Sequence, residues 1–234
     1  MDERHMEIIA HRGLDKPENT LQAFRKAIEA GFPYVELDVH RTIDNQWVVI
    51  HDFEVEGLEV ESSTYSQIKN LFSDDERPPL LEEVIEIKEL KLNIELKVPR
   101  NHDDPRTLGQ SLQKFLSNRL SEERYNLSSF NYKGLIGART ASKDVKLSYL
   151  SLRPNLKKWE QLNRKLKGLY SVNPLFLLLR KKHVDRMHRH GIKIHPWTVN
   201  RDKWIKRMIK LGVDGIITDK PKRVETILHQ VETS

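Results

Sequence analysis

The sequence predicts an α/β fold, a parallel (β/α)8 TIM barrel, on three observations. Short apolar runs alternate with helix-length segments from end to end, eight of each, the pattern of parallel strands joined by helical crossovers. The length, 234 residues, falls near the size of that barrel built as one domain. The competing architecture is a doubly wound open sheet, but no G-x-G-x-x-G follows the first strand, so its usual nucleotide-binding turn is missing.

The first strand is read at 6–10 (MEIIA) and the first helix at 18–30, with Asn19 or Thr20 placed to start it and Gly31 to stop it. The second strand is 34–39 (YVELDV). Here the alternation breaks, because "HRTIDNQWVVIHD" leaves no room for a helix. Asp44-Asn45 between β-branched runs reads as a two-residue hairpin turn, which sets Ile43 opposite Gln46 and Asp38 opposite His51. Residues 53–79 form a short insertion ending at Pro78-Pro79. A helix at 80–90 leads to the strand 92–97 (LNIELK). Helices at 105–120, 131–141, 155–165 and 175–190 then alternate with strands at 125–129, 145–150, 168–172 and 192–197. The helix 201–211, the strand 214–218 and the helix 221–231 complete the set, and Gly191 and Gly212 stand where helices should stop. With no repeat, linker or low-complexity block, residues 1–234 read as a single domain.

Composition excludes several chemistries. No cysteine is present, which removes disulfides, zinc–thiolate sites and thiol nucleophiles. The start, "MDERHMEII", is charged and does not read as a secretory signal. The longest notable apolar run, "LFLLL" at 175–179, is far too short to span a bilayer. The expectation is a cytoplasmic protein. A net charge of +6 is concentrated in the second half, around "RPNLKKWEQLNRKLKG" and "RKKHVDRMHRHGIK". Such a surface serves nucleic acid, anionic lipid or a phosphorylated small molecule, or is simply the solvated face of helices.

In a parallel α/β barrel the active site forms at the C-terminal strand ends. Those ends carry His11-Arg12, Glu36-x-Asp38, His51-Asp52 on the hairpin, Glu95-x-Lys97 and Trp197. Residues two apart on a strand share a face, so Glu36 and Asp38 point together, as do Glu95 and Lys97. Three converging carboxylates call for a neutralising cation, and oxygen-only ligands select a hard one, Mg²⁺ or Ca²⁺. Arg12 and Lys97 beside it suit a phosphoryl group, and two imidazoles suit proton transfer to and from its oxygens. Read singly, each residue has a blander role. A strand-end carboxylate is a cap or surface ion pair, and His5, His40, His102, His183, His188, His190 and His229 are read as structural or exposed. Glu18-Asn19 is read as capping the first helix, with an orienting role behind His11 or a metal ligand as the alternative. The coincidence of polar groups on at least three strand ends favours catalysis.

These residues sit in an ordered series of motifs: "AHRG" at 10–13, "PENTLQAF" at 17–24, "VELDV" at 35–39, "VVIHD" at 48–52, "LLEEVI" at 80–85, "NIELK" at 93–97, "SSF" at 128–130, "WTVN" at 197–200 and "GVDGIITDKP" at 212–221. Together they closely resemble the glycerophosphodiester phosphodiesterase family, relatives of the phosphatidylinositol-specific phospholipases C, along almost the whole chain. The resemblance implies a metal-dependent hydrolase releasing glycerol 3-phosphate and an alcohol. It places one divalent cation, Mg²⁺ or Ca²⁺, on Glu36, Asp38 and Glu95, acid/base catalysis on His11 and His51, and phosphate contacts on Arg12 and Lys97. Trp197 becomes an apolar wall beside the glycerol. The resemblance also implies attack by the glycerol 2-hydroxyl and a cyclic phosphate that water opens. The insertion after "HD" departs from the usual pattern by being short and acidic, and "RPPLLEE" replaces the usual entry to the next helix, so the alcohol stays open.

Two alternatives accompany this expectation. A lysophospholipase D would use the same site on an acylated glycerol, with "NPLFLLLRKKH" at 173–183 making a transient membrane contact. A non-catalytic barrel would use its basic face for nucleic acid or an effector, which the retention of every matched position disfavours. The expected partner is a small-molecule glycerophosphodiester; oligomeric state leaves no trace in the sequence.

Overall fold

The computed structural model describes residues 6–233; His5 lies outside the described residues. Strand β1 (Glu7–His11) is followed by helix α1 (Leu21–Glu29), then β2 (Tyr34–Arg41) and β3 (Trp47–Val49). The insertion 53–79 contains the small hairpin β4 (Glu54–Val55) and β5 (Leu58–Glu59) and the helix α2 (Tyr65–Lys69). Next come α3 (Leu81–Ile85), β6 (Lys91–Leu96), α4 (Pro105–Ser117), β7 (Tyr125–Ser129), α5 (Tyr132–Ala141), β8 (Leu147–Ser151) and α6 (Leu156–Lys165). The chain ends with β9 (Ser171–Pro174), α7 (Lys181–His188), β10 (Lys193–Ile194), α8 (Asp202–Leu211), β11 (Gly215–Thr218) and α9 (Pro221–Glu232).

Among the described residues, eight parallel strands follow the order β10-β9-β8-β7-β6-β2-β1-β11. The seam between the outer two is drawn together by Asp214 N–H donating to Ile194 O (3.1 Å) and Ile217 N–H to Pro196 O (3.0 Å). The result is a nearly closed barrel with helices between its strands, as the alternation predicts. On β2, Val35, Leu37 and Val39 face outward into the main apolar shell under the helices. Strand periodicity therefore sends Glu36 and Asp38 inward. Lower in the barrel, Asn126 Nδ2 donates to Asn93 Oδ1 (2.7 Å) and Ser148 Oγ (3.0 Å), and Tyr34 Oη donates to Asn126 Oδ1 (2.7 Å). This polar layer forms the floor beneath the mouth.

The hairpin register differs by one residue from the sequence reading. Val39 pairs with Val49 and Arg41 with Trp47, which sets Asp38 opposite Ile50 rather than His51. The loop holds three residues, because Asn45 alone takes a left-handed conformation (φ 64°) after a turn closed by Asn45 N–H to Thr42 O. His51 still reaches the mouth, one residue past the ladder.

The helix expected over 175–190 is α7 alone. Leu175 continues strand-like, donating its N–H to Ser151 O (2.9 Å), and residues Phe176–Leu178 make a 3₁₀ turn. Arg207 takes the carbonyls of Leu177 and Leu179, the acceptors an α-helix would use. The helix expected over 80–90 closes at Ile85, and beyond it Arg124 takes the carbonyls of Ile87 and Leu90. No helix among the described residues is long and apolar enough to cross a membrane.

Candidate active site

The mouth is assembled from three backbone devices. At the end of β1, Arg12 (φ 57°) and Gly13 (φ 89°) both turn left-handed, and a Cβ on Gly13 would lie 2.8 Å from Ala23, so glycine is required there. This turn folds Arg12 back over the strand ends: its Nε pairs with Asp38 Oδ2 (3.2 Å) and its Nη1 donates to Glu18 Oε1 (2.6 Å). The second device is Asn19, left-handed at φ 57° and buried, whose Nδ2 donates to Asp38 Oδ2 (3.0 Å). The cap of α1 is Thr20, whose hydroxyl accepts from Ala23 N. Glu18 and Asn19 thus orient Arg12 and Asp38, and the capping expectation for them is corrected. The third device is the parallel register of β2 and β6, which sets Asp38 beside Glu95.

Glu36, Asp38 and Glu95 are all buried, and one oxygen of each lies within 4.8 Å of the others. Lys97 Nζ sits 3.1 Å from both Asp38 Oδ1 and Glu95 Oε1. Burial would raise Asp38, but Lys97, Arg12 and the Asn19 hydrogen bond together hold it below the usual carboxylate range. Burial, with Asp38 as neighbour, pushes Glu95 up to about 7. Glu36 is driven well above its ordinary value by burial and by the charges of Asp38 and Glu95. Glu36 Oε2 is buried with no hydrogen-bond partner. One of the three carboxylates is balanced by Arg12 and Lys97, while burial and mutual repulsion disfavour charge on the other two, so this oxygen-only set fits a hard cation.

Each histidine at the mouth is gripped by a carboxylate at Nδ1. His11 Nδ1 meets Asp219 Oδ1 at 2.7 Å, and His51 Nδ1 meets Asp52 Oδ1 at 2.7 Å. His11 Nε2 turns toward Glu36 Oε2 at 3.9 Å. His40 is buried, and that burial lowers it to about 4. It donates from Nε2 to His51 O (3.3 Å), fixing the loop that carries His51. Trp197 donates Nε1–H to Asn173 O (2.7 Å), and Phe130 meets its ring edge-on at 5.5 Å. A pocket of about 270 Å³ is lined by His11, Arg12, Glu36, His51, Glu95 and Lys97, with Phe130 and Trp197 as its apolar wall.

Of the candidate site residues, His11, Arg12, Glu36, His51, Glu95, Lys97 and Trp197 line this pocket, and Asp38 is joined to it through Arg12 and Lys97. The sequence reading missed Asp219, Asn200 and Phe130. Asn200 Nδ2 donates to Asp219 Oδ2 (2.6 Å). Asp219 follows β11 within "TDKP", so the rule applied to the other strand ends identifies it too. Of the other histidines, His188 pairs with Asp214, His102 with Glu61 and His190 with Glu160, while His183 Nδ1 accepts from Arg180 N.

Residues 11–223 match the glycerophosphoryl diester phosphodiesterase family. The chain belongs to that family. It is 36% identical to a glycerophosphodiester phosphodiesterase of Caldanaerobacter subterraneus subsp. tengcongensis, over 96% of this chain and 97% of the relative. A solved glycerophosphodiester phosphodiesterase from Parabacteroides distasonis superposes with a TM-score of 0.84 at 29% identity, covering 97% of this chain and 98% of the other. The human lysophospholipase D GDPD1 is 26% identical over 94% of this chain and 85% of its own length. The activity is therefore that of a phosphoric diester hydrolase on small-molecule glycerophosphodiesters, and the non-catalytic alternative falls.

Proposed function

We propose that the barrel cleaves glycerophosphodiesters to glycerol 3-phosphate and an alcohol using one divalent cation, Mg²⁺ or Ca²⁺, with His11 and His51 as the acid/base pair. The observation that carries this reading is the convergence of three buried carboxylates, two cationic side chains and two Asp-bound imidazoles on one pocket. Glu36, Asp38 and Glu95 would hold the ion, whose part when bound is to withdraw charge from a phosphoryl oxygen.

The remaining work falls to the side chains. Arg12 and Lys97 sit where a phosphate in the pocket meets their N–H groups, so charge developing on its oxygens is met by donors already in place. Asp219 and Asp52 each fix one ring nitrogen, which leaves Nε2 of His11 and His51 for the reacting oxygens. One imidazole takes the proton of the attacking hydroxyl and the other gives a proton to the departing alcohol oxygen. Family resemblance makes that hydroxyl the glycerol 2-OH, with water opening the cyclic phosphate in a second, reversed transfer. Trp197 and Phe130 shelter the carbon skeleton. The barrel acts as one catalytic domain with 53–79 as an insertion beside the mouth, and its cysteine-free, highly charged composition suits the cytoplasm.

A lysophospholipase D activity at the same site is the second reading. It is supported by the human relative above and by the apolar wall of the pocket, to which Leu150 and Ile217 also contribute. Phosphorus NMR of glycerophosphocholine and lysophosphatidylcholine digests tests both: glycerol 3-phosphate from the first, appearing on ion addition and stopped by chelator, is expected. Intact diester under both ions would contradict the primary reading, and unreacted lysolipid would remove the second.

A further inference from the structure

One side of the catalytic mouth is rimmed by apolar side chains that face solvent. Phe130, Leu152, Leu177 and Leu178 are 41%, 63%, 46% and 54% exposed, and they follow the neighbouring strands β7, β8 and β9. Single surface leucines are ordinary, but four large apolar groups on adjacent loops are not. The tip is also braced. Phe176 N–H donates to Trp197 O (3.3 Å), its ring packs on Trp204 at 5.2 Å, and Arg207 holds the carbonyls of Leu177 (3.2 Å) and Leu179 (2.6 Å). Leu177 and Leu178 are thus fixed outward. A groove of about 650 Å³ passes under Leu152 and shares Phe130 and Leu150 with the catalytic pocket.

Charge selects what this rim meets. Arg153, Lys157, Lys158, Arg180, Lys181 and Lys182 flank it, all exposed. The stretches "LRPNLKKW" (152–159), running into α6, and "NPLFLLLRKKHV" (173–184), running from β9 into α7, contain no acid, although Lys181 pairs with Asp185 just beyond (2.7 Å). Leucines set among cations match a surface with an apolar interior and anionic head groups; nucleic acid offers the charge but no apolar phase. We propose that this rim docks the mouth on an anionic lipid surface, so that the groove receives the acyl chain of a glycerophosphodiester still in the membrane. The purpose of docking rests on the function proposed above; docking itself is measured without turnover.

Co-sedimentation with vesicles of phosphatidylcholine, alone or mixed with phosphatidylglycerol, tests it. The wild type should bind the mixed vesicles and be released by salt, and should bind the neutral ones far less. Leu177→Glu/Leu178→Glu should weaken binding at least about tenfold, with glycerophosphocholine turnover unchanged. No sedimentation, equal binding to neutral vesicles, or equal binding by the double variant would overturn the proposal. So would a dimer dispersed by the same pair of substitutions without vesicle binding, which assigns the rim to a second copy. Vesicle binding by a protein that turns over no diester would support docking while overturning only the reaction.

Discussion

His11 Nδ1 lies 2.7 Å from Asp219 Oδ1 across 208 positions of sequence. The pairing follows from topology: β1 and β11 are neighbours with Ala10 opposite Thr218, so the residues after each strand emerge side by side. Asn200 holds the other carboxylate oxygen. Asp219→Asn should lower kcat by about 10–100-fold, less than the roughly 10²–10⁴-fold expected for His11→Ala. Because Asp219 acts through His11, the double variant should be no slower than His11→Ala alone. Additive losses would break the link.

The carboxylate triad predicts an inverse relation between stability and function. With Glu95 raised to about 7 and Glu36 raised as well, the ion-free folded state holds protons that the unfolded chain releases near 4.5. Ion-free stability should therefore fall as pH rises from about 4.5 to about 7. Saturation with Mg²⁺ or Ca²⁺ should reverse this, adding about 2.7 kcal/mol at a hundredfold excess over Kd. Glu36→Gln should raise the ion-free Tm at neutral pH and abolish the ion-induced rise. Thermal melts with and without ion measure both; an unchanged ion response in the variant would remove Glu36 from the ligand set.

At the opposite end of the barrel, Glu7 gathers His195 (3.2 Å), Lys91 (2.7 Å) and Lys193 (3.2 Å). Burial alone would raise it, yet His195 and Lys91 hold it below the usual carboxylate range. Its ionised form thus stabilises the fold above its ordinary value of 4.5, and that contribution is lost as pH falls toward the lowered folded value. Glu7→Gln should cost about 2–3 kcal/mol, below the roughly 3–5 kcal/mol for breaking a fully buried pair, because a fifth of the side chain stays exposed. Below the ordinary carboxylate value, its Tm should fall less steeply with acid than that of the wild type. Parallel Tm–pH curves would contradict this assignment.

Helices α4 and α5 touch through glycine. A Cβ on Gly109 would overlap the carbonyl oxygen of Gly134, and one on Gly137 the carbonyl oxygen of Arg106. Gly109→Ala should therefore destabilise by about 1–3 kcal/mol or more through overpacking, despite its better helix propensity. A denaturant midpoint at or above that of the wild type would show that the helices part without cost.

Period and spacing make the barrel and most of its mouth legible in the sequence alone. Alternation locates the strands, and strand polarity places Glu36, Asp38, Glu95 and Lys97 on the inner face wherever their ladders lie. What stays hidden depends on contacts distant in sequence. The three-residue hairpin turns on whether Asn45 alone goes left-handed, and the truncated α7 on carbonyls claimed by Arg207. Asn19 reads as a cap because its carboxylate partner stands 19 residues away. Asp219 escapes the sequence reading although it follows β11 as His11 ends β1. The glycine contact between α4 and α5 has no local signature at all.

The central claim is that one pocket joins an ion-binding triad to paired histidines for phosphodiester cleavage. Its most direct measurement is glycerol 3-phosphate release from glycerophosphocholine and glycerophosphoethanolamine, with Mg²⁺, Ca²⁺ or chelator, by the wild type, His11→Ala and Glu95→Ala. Release that requires the ion and is lost in both variants is the predicted result. Release that persists in chelator, or in either variant at the wild-type rate, would contradict it.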